Sequence, residues 1–337
     1  MSNGPWVSPP IKPAVRVAFR PPMTLNIRWS ATLPGDARHL LAIDPAGAHL
    51  YAGDGWGVTY ASLSLRLIDM NDGRELRRMR TKYQQPRSIT YRGPDLLVAT
   101  DSRLFQLSRS DLQVRRTWER GVPRFADALE LESDKLLMTN WLRPTAGIFD
   151  LMSGRSARWL LEAGLRPFRM QTHLAVYSLH SGLLRSVDVA TRSSEIIFRG
   201  AAGLWVALAA DRWLALLTGP WKPVRGGLEE PVKETRDLVV YDLKTGTARN
   251  RNLSRDTVAV EAANNSPILW LLQREPGPRV LPSIVERVDA QSCQTVDTIA
   301  APRGSDVVQV VADRSVVFFG QPQYREHQAV ISCGIIT

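Results

Sequence analysis

The sequence contains few of the residues that build disulfide-stabilised or metal-binding domains. Two cysteines, Cys293 and Cys333, occur in 337 residues. This excludes a disulfide framework and a cysteine-rich zinc site, although one bridge between the two remains open. The five histidines form no i, i+3 or i, i+4 pair, which excludes a helical metal site. The sequence therefore predicts no metal and no cofactor.

Long hydrophobic runs are also lacking. The most apolar stretch, Leu204 to Trp221, is interrupted by Asp211 and Arg212, whereas a membrane-spanning helix needs about 18 or more apolar residues. We therefore expect no membrane span. The N-terminus has no charged start followed by an apolar core, so the sequence as written predicts a cytoplasmic protein. The mature form of an exported protein would look the same.

Lysine is scarce and arginine abundant: there are 6 lysines, 37 arginines and a net charge of +10. One interpretation is the codon bias of a GC-rich bacterial genome. The other is use of the planar guanidinium, which binds carboxylates or phosphates through two hydrogen bonds. Nucleic acid is an unlikely partner, because 33 acidic residues interleave with the basic ones and no nucleic-acid-binding motif is present.

Short apolar runs of four to seven residues, separated by Gly, Pro, Asp and Asn, predict many short β-strands and little helix. A strand followed by an Asp-containing turn recurs six times. Three copies also carry Gly, as in Ile68-Asp69-Met70-Asn71-Asp72-Gly73. The turns begin at Asp69, Ser108, Asp150, Asp188, Asp242 and Asp289, which are 38 to 54 residues apart. That spacing fits four strands per unit and is close to the blade length of a β-propeller.

The repeat predicts an all-β fold, a seven-bladed β-propeller closed by its N-terminal strand. Six blades cover residues 38–82, 83–120, 121–162, 163–200, 201–253 and 254–301. Only three strands follow, over residues 306–312, 315–320 and 328–337, and residues 25–33 supply the fourth. Such pairing removes exposed sheet edges. Residues 1–23 are rich in proline and predict an extended arm, which leaves 24–337 as a single propeller domain.

The segment Leu41–Gly53, with the turn Asp44-Pro45-Ala46-Gly47, resembles the strand–turn–strand signature of YVTN-type seven-bladed propellers. That group includes non-enzymatic scaffolds, lactonase-like enzymes and subunits of quinoprotein amine dehydrogenases, so the resemblance implies a fold and not one function. The Trp-Asp dipeptide of WD40 blades is absent. So are the Gly-x-Ser-x-Gly, Walker, dinucleotide-binding and haem-attachment motifs.

Arginines recur where one blade passes to the next. If the blades are placed correctly, they surround the top face, which we define as the loops between successive blades together with those joining second to third strands. Their charge would favour an anionic ligand or an acidic partner surface. The alternative is that each arginine neutralises a local carboxylate. The seven are Arg38, Arg87, Arg124, Arg166, Arg199, Arg255 and Arg303.

Three tryptophans in predicted top-face loops, Trp56, Trp141 and Trp221, are the candidate apolar anchors for a partner. The sequence thus favours a non-catalytic scaffold that binds a protein with an acidic surface, or an anionic small molecule, on its basic top face. The alternative is an enzyme acting at the channel mouth, either a lactonase-like hydrolase or a subunit of an amine-dehydrogenase-type complex. Its candidate residues are Asp127, Asn140, His173 and Asp306.

Overall fold

The computed structural model describes residues 23–34, 41–44, 47–54, 62–126, 128–140, 146–159, 164–224, 228–231, 235–262, 266–274, 283–312, 315–320 and 328–337. These residues form 29 β-strands and no α-helix. Nearly all of the strands belong to antiparallel sheets whose members follow one another in the chain. The expected all-β class is confirmed.

The first four sheets each contain four consecutive strands. The first consists of β2 (Leu41–Ile43), β3 (His49–Gly53), β4 (Ser64–Asp69) and β5 (Glu75–Arg80). The second consists of β6 (Pro86–Arg92), β7 (Asp95–Thr100), β8 (Leu104–Ser108) and β9 (Val114–Trp118). The third consists of β10 (Ala128–Glu132), β11 (Lys135–Thr139), β12 (Ala146–Asp150) and β13 (Arg155–Trp159). The fourth consists of β14 (Leu165–Arg169), β15 (Leu174–Ser178), β16 (Leu183–Asp188) and β17 (Ser193–Arg199).

A seven-stranded sheet follows, and a hairpin branches from it. The sheet contains β18 (Gly203–Ala209), β19 (Trp213–Thr218), β22 (Thr235–Asp242), β23 (Thr247–Ala262), β24 (Ile268–Arg274), β25 (Ser283–Asp289) and β26 (Gln294–Ala301). The hairpin consists of β20 (Trp221–Val224) and β21 (Leu228–Pro231). It lies in the insertion between β19 and β22, where the sequence predicts only a loop.

Strand β23 is 16 residues long and is shared by what the sequence analysis treats as two blades. Thr247–Asn252 pair mainly with β22, and Asp256–Ala262 pair with β24. The predicted loop at residues 253–254 is therefore wrong. Its physical reason is visible in the sequence, because no Gly or Pro interrupts residues 247–262 and the backbone continues as an extended strand.

The last sheet joins the two ends of the described chain. It has the order β1 (Leu25–Pro34), β29 (Gln328–Ile336), β28 (Ser315–Gly320) and β27 (Ser305–Ala312). Strand β1 pairs antiparallel with β29 from Leu25 opposite Ile336 to Pro34 opposite Gln328. The amides of Thr24 and Thr337 also exchange two hydrogen bonds, of 3.0 and 2.9 Å.

Burial follows strand position within each sheet. The six residues of β7 and the five of β15 are all buried, whereas β9 exposes every residue except Trp118. Inner strands covered on both faces read as continuous apolar runs, and outer strands carry the charge. The basic run Arg74–Arg80 accordingly includes the whole outer strand β5, and the arginines of that strand are exposed.

Hydrophobic clusters join neighbouring sheets, and one of them joins the two halves of the seven-stranded sheet. The described residues form seven such clusters. One of them brings β1 and β29 of the last sheet against β3 and β4 of the first sheet. Representative pairs in chain order are Tyr51 with Val98, Leu104 with Phe149, Ile148 with Val176, Tyr177 with Leu216, Leu217 with Leu271, Trp270 with Val308, and Ile331 with Leu50.

The recurring turn has one geometry, which confirms its prediction as the link between third and fourth strands. The residue four positions after the turn start has a positive φ in all six copies. It is Gly at 73, 154 and 246, with φ of 74°, 66° and 72°. It is Leu112, Arg192 or Cys293 in the others, with φ of 58°, 59° and 59°. The Asp carboxylates cap these turns, as in the 2.8 Å hydrogen bond that the amide of Ala190 donates to Asp188 Oδ1.

Candidate functional site

The predicted top-face arginines lie at or near the starts of first strands. Arg87 and Arg166 are the second residues of β6 and β14, while Arg124 and Arg303 precede β10 and β27. Arg199 is the last residue of β17, and Arg255 lies within β23 and not in a loop. Trp221 is the first residue of β20. Arg38, Trp56 and Trp141 lie outside the described residues.

These arginines differ in their surroundings. Arg87 donates from Nε to Asp101 Oδ1 at 2.5 Å, and its guanidinium lies 4.9 Å from the centre of the Phe125 ring. Arg166 is half-buried and lies 5.9 Å from the Trp205 ring centre. Arg124, Arg199 and Arg303 are exposed. Local neutralisation, the alternative interpretation, therefore accounts for Arg87.

Carboxylates at the same end of the sheets are bound by arginines outside the predicted set. Arg236 Nε lies 2.8 Å from Asp256 Oδ1, and Arg103 Nη2 lies 3.5 Å from Glu119 Oε1. Arg274 binds Asp306. Arg124 and Arg199, in contrast, have no carboxylate partner among the described residues. Glu119, the described acid nearest in sequence to Arg124, pairs with Arg103.

The candidate enzyme residues are not brought together. Asn140 is buried and donates its amide to the carbonyl of Phe125. Asp306 pairs with Arg274. His173 lies in the turn between β14 and β15, the opposite end of β14 from Arg166, with Nδ1 2.9 Å from Thr172 Oγ1. Asp127 is outside the described residues. Within the described part of the chain, no group of three His, Cys, Asp or Glu residues could hold a metal ion.

Two carboxylates on first strands were missed by sequence reasoning. Burial raises the pKa of Glu261 on β23 to about 7, although the amide of Ala262 and the charge of Arg166 lower it. Burial also raises the pKa of Glu130 on β10, against the charge of Arg169, whose Nη2 lies 3.7 Å from Glu130 Oε2. One sequence signal could have identified both residues. Each is a Glu that alternates with apolar residues on a strand predicted to be innermost.

Two grooves lie between neighbouring sheets. One, of about 390 Å³, separates the fourth sheet from the seven-stranded sheet and is lined by Met170, Ile197, Phe198 and Leu243, with Arg212 and Lys244 at its rim. Arg212 is already bound to Asp242 through hydrogen bonds of 2.9 and 2.6 Å. The other, of about 300 Å³, lies between the third sheet and the segment that links the second sheet to it, and is lined in part by Arg124 and Arg158.

Both cysteines are buried and free. Burial raises the pKa of each thiol, which keeps them in the unreactive protonated form at neutral pH. The bridge that the sequence left open is not formed. No helix of the described residues is long and apolar enough to cross a membrane.

No protein-family model matches the sequence, and no curated protein matches it. Solved structures do. The alignment with the Neurospora crassa Pan2 WD40 domain covers 92% of this chain and 95% of the Pan2 chain, at 11% identity and a TM-score of 0.65. The alignment with the RRP9 WD40 repeats covers 93% of this chain and 100% of the RRP9 chain, at 8% identity and a TM-score of 0.64. The chain has a β-propeller fold.

A third propeller-like match, BamB from Moraxella catarrhalis, covers 87% of this chain and 81% of its own at 14% identity, with a TM-score of 0.51. At these identities the likeness concerns the fold alone. WD40 propellers are among these matches although this propeller lacks the Trp-Asp dipeptide. The resemblance to YVTN-type propellers stays a prediction.

Proposed function

We propose that the protein is a seven-bladed ring, closed by β1, that acts as a non-catalytic scaffold and binds a partner protein on its top face. Three observations support the ring. The turn repeat marks six blades, the hydrophobic clusters link neighbouring sheets and the two halves of the seven-stranded sheet, and β1 provides the fourth strand beside β29. On this reading β23 supplies the outer strand of the fifth blade and the inner strand of the sixth.

The scaffold proposal depends chiefly on the exposed arginines. Arg124 and Arg199 carry charge that no described carboxylate neutralises, while Asp256, Asp306 and Glu119 are occupied by other arginines. Guanidiniums in this state bind a partner's carboxylates through charge-assisted hydrogen bonds without first breaking an internal pair. An acidic protein surface is the partner chemistry that this arrangement suits.

The test is capture of partners from the native source at low salt, followed by elution in a salt gradient. The proposal expects a stoichiometric partner that Arg199→Glu and Arg124→Glu release at lower salt than the wild type. Arg77→Glu, which reverses an exposed arginine on the outer strand β5, is the matched control and should leave elution unchanged. Equal elution of all variants would contradict the role of the top face.

An enzyme remains the second candidate because of Glu261. A carboxylic acid with a pKa of about 7 can act as a general base at neutral pH. A lactonase-like hydrolase, or the propeller subunit of an amine-dehydrogenase-type complex, could use such a group at the channel. Hydrolysis of simple lactones by the purified protein, lost in Glu261→Gln, would favour the hydrolase over the scaffold.

A further inference from the structure

One wall of the groove that contains Arg124 is the segment linking the second sheet to the third, and tight contacts hold its backbone. The segment that leaves β9 turns at Gly121, whose φ is 74° and where an added Cβ would lie 3.0 Å from the carbonyl oxygen of Gly154. Two residues later the Pro123 ring packs on Gly147, only 2.4 Å from where a Cβ would sit there. The amide of Phe125 then donates to the carbonyl of Asp101 at 3.0 Å. The wall therefore needs no reordering to receive a ligand.

The groove carries positive charge without a counter-charge. Arg124 and Arg158 both line it and both are exposed. None of the described lining residues is acidic, and neither guanidinium has an ion pair or hydrogen bond to a described residue. Two cations on one groove repel each other, and an anion bound between them would remove that repulsion.

Its size and lining suit a peptide better than a small ion. A volume of about 300 Å³ far exceeds what one carboxylate or phosphate needs, and the half-buried Pro123 provides apolar surface beside the arginines. Strand β13, which contributes Ser156 to Arg158, pairs with β12 and with no other strand among the described residues. Its other edge offers backbone groups to an extended chain. No aromatic side chain lines the groove, so it lacks the stacking platform that single-stranded nucleic acid uses.

We propose that this groove binds an extended acidic segment of a partner protein, with one of its carboxylates held between Arg124 and Arg158. The inference rests on the proposed scaffold function and specifies one of its docking sites. It adds Arg158, an exposed residue of the outer strand β13 that is not among the predicted site residues. Arg124 thereby has a defined role, since it provides one side of a two-arginine site.

The test is fluorescence anisotropy with a labelled decapeptide of alternating Glu and Ala, in about 50 mM salt. A Gln–Ala peptide and a ten-nucleotide oligothymidine are the comparison probes. The double variant Arg124→Ala/Arg158→Ala should weaken binding of the Glu peptide at least about ten-fold, since each charge-assisted hydrogen bond contributes enough for such a loss. Arg158→Lys, which keeps the charge, should lose less affinity than Arg158→Ala.

The matched control is Arg77→Ala/Arg80→Ala, which removes two exposed arginines from β5. It should change affinity less than two-fold. An equal loss in the control would show diffuse attraction and overturn the site, as would equal binding of the Gln peptide. Binding of the oligothymidine but not of the Glu peptide would assign the groove to nucleic acid instead.

Failure of this inference is distinguishable from failure of the scaffold. If the decapeptide does not bind while the native partner still depends on Arg199, which lies outside the groove, only the groove site is wrong. If the native partner is also indifferent to Arg199 and Arg124, the scaffold proposal falls too. Thermal unfolding of each variant confirms that the compared proteins are folded.

Discussion

The indole Nε1 of Trp29 donates a 2.9 Å hydrogen bond to the carbonyl oxygen of Met70, which ties the N-terminal strand to the first sheet. The same indole ring lies over Gly73, where a Cβ would come within 2.4 Å of it. Trp118 of β9 stands in the equivalent relation to Gly154 of the third sheet, 3.4 Å from its Cβ position. The contact between the last and first sheets therefore repeats an ordinary contact between neighbouring sheets.

Replacing Trp29 with Ala should destabilise the propeller by about 3–5 kcal/mol, the usual cost of removing a buried Trp. Trp118→Ala is the control, because it removes the equivalent indole from a contact between sheets that are consecutive in the chain. Unfolding in guanidinium chloride measures the stability lost in each variant. Similar losses are expected if the ring is closed, whereas a loss below about 1 kcal/mol for Trp29 alone would contradict closure by β1.

The positive φ in the recurring turn predicts opposite effects on stability for two substitutions. Arg192 is exposed and has a φ of 59°, so Arg192→Gly should stabilise the protein by about 1 kcal/mol. Gly246 has a φ of 72° and open space where a Cβ would lie, so Gly246→Ala should destabilise it by a similar amount. Thermal unfolding gives both values. The same sign for the two substitutions would show that backbone conformation does not decide the stability of these turns.

Arg66 and Asp54 form a buried pair in the first sheet, with side chains 4% and 0% exposed. Nε and Nη2 of Arg66 donate to the two Asp54 oxygens at 2.9 and 3.2 Å, and Nη1 donates to Glu75 at 2.6 Å. Burial raises the pKa of Asp54 even though these hydrogen bonds lower it. Arg66→Met would leave a buried charge without its partner, which costs about 3–5 kcal/mol.

That loss should shrink at low pH, because a protonated Asp54 needs no cation. The double variant Arg66→Met/Asp54→Leu should recover most of the stability lost in Arg66→Met. Urea unfolding at pH 7 and pH 4.5 tests both statements. No recovery in the double variant would mean that lost packing of the arginine side chain, and not the unpaired carboxylate, causes the effect.

The raised pKa of Glu261 predicts that its contribution to folding stability depends on pH in the opposite direction from that of an ion-paired acid. Its pKa is raised to about 7 in the folded protein, against about 4.3 in an unfolded chain. The folded state therefore holds the proton more tightly. This contribution to stability is fully present below about pH 4 and is lost as the pH rises through 7.

Glu261→Gln removes this titration. Relative to the wild type, the variant should become more stable as the pH is raised from 5 to 8, by up to about 3 kcal/mol at 1.4 kcal/mol per pH unit. Access of solvent to this half-buried side chain would reduce the value. Thermal unfolding across that range is the measurement. Parallel profiles for the two proteins would show that Glu261 ionises normally.

What could be predicted from the sequence is what depends on local chemistry. The Asp turns, the buried second and third strands and the charged outer strands all follow from composition at fixed spacing, as β15 and β9 illustrate. The continuous strand β23 could not be predicted in this way: it contains no Gly or Pro, but Asn250, Asn252 and Asp256 within it favour turns. The YVTN resemblance rests on one turn, Asp44 to Gly47, and that is too little to separate one propeller family from another.

The site could be predicted only in part, because pairing across sheets is invisible in one sequence. The sequence places Arg87 and Arg124 alike near the starts of first strands, yet Arg87 lies within β6 beside Asp101, while Arg124 precedes β10 and no described residue neutralises it. Arg158 enters the groove only because the third sheet packs on the segment around Pro123. The altered pKa of Glu261 depends on how closely neighbouring strands surround it, which spacing along the chain does not encode.

The uninterrupted course of β23 has a mechanical consequence. Between β5 and β6, the five residues 81–85 belong to no strand. Along β23 there is no such connecting segment, since the same extended backbone is hydrogen-bonded to β22 and then to β24. A pulling force that peels β22 away would act directly on the strand that holds β24. We expect these two parts of the propeller to rupture together in a single force event, while the first two sheets separate one after the other.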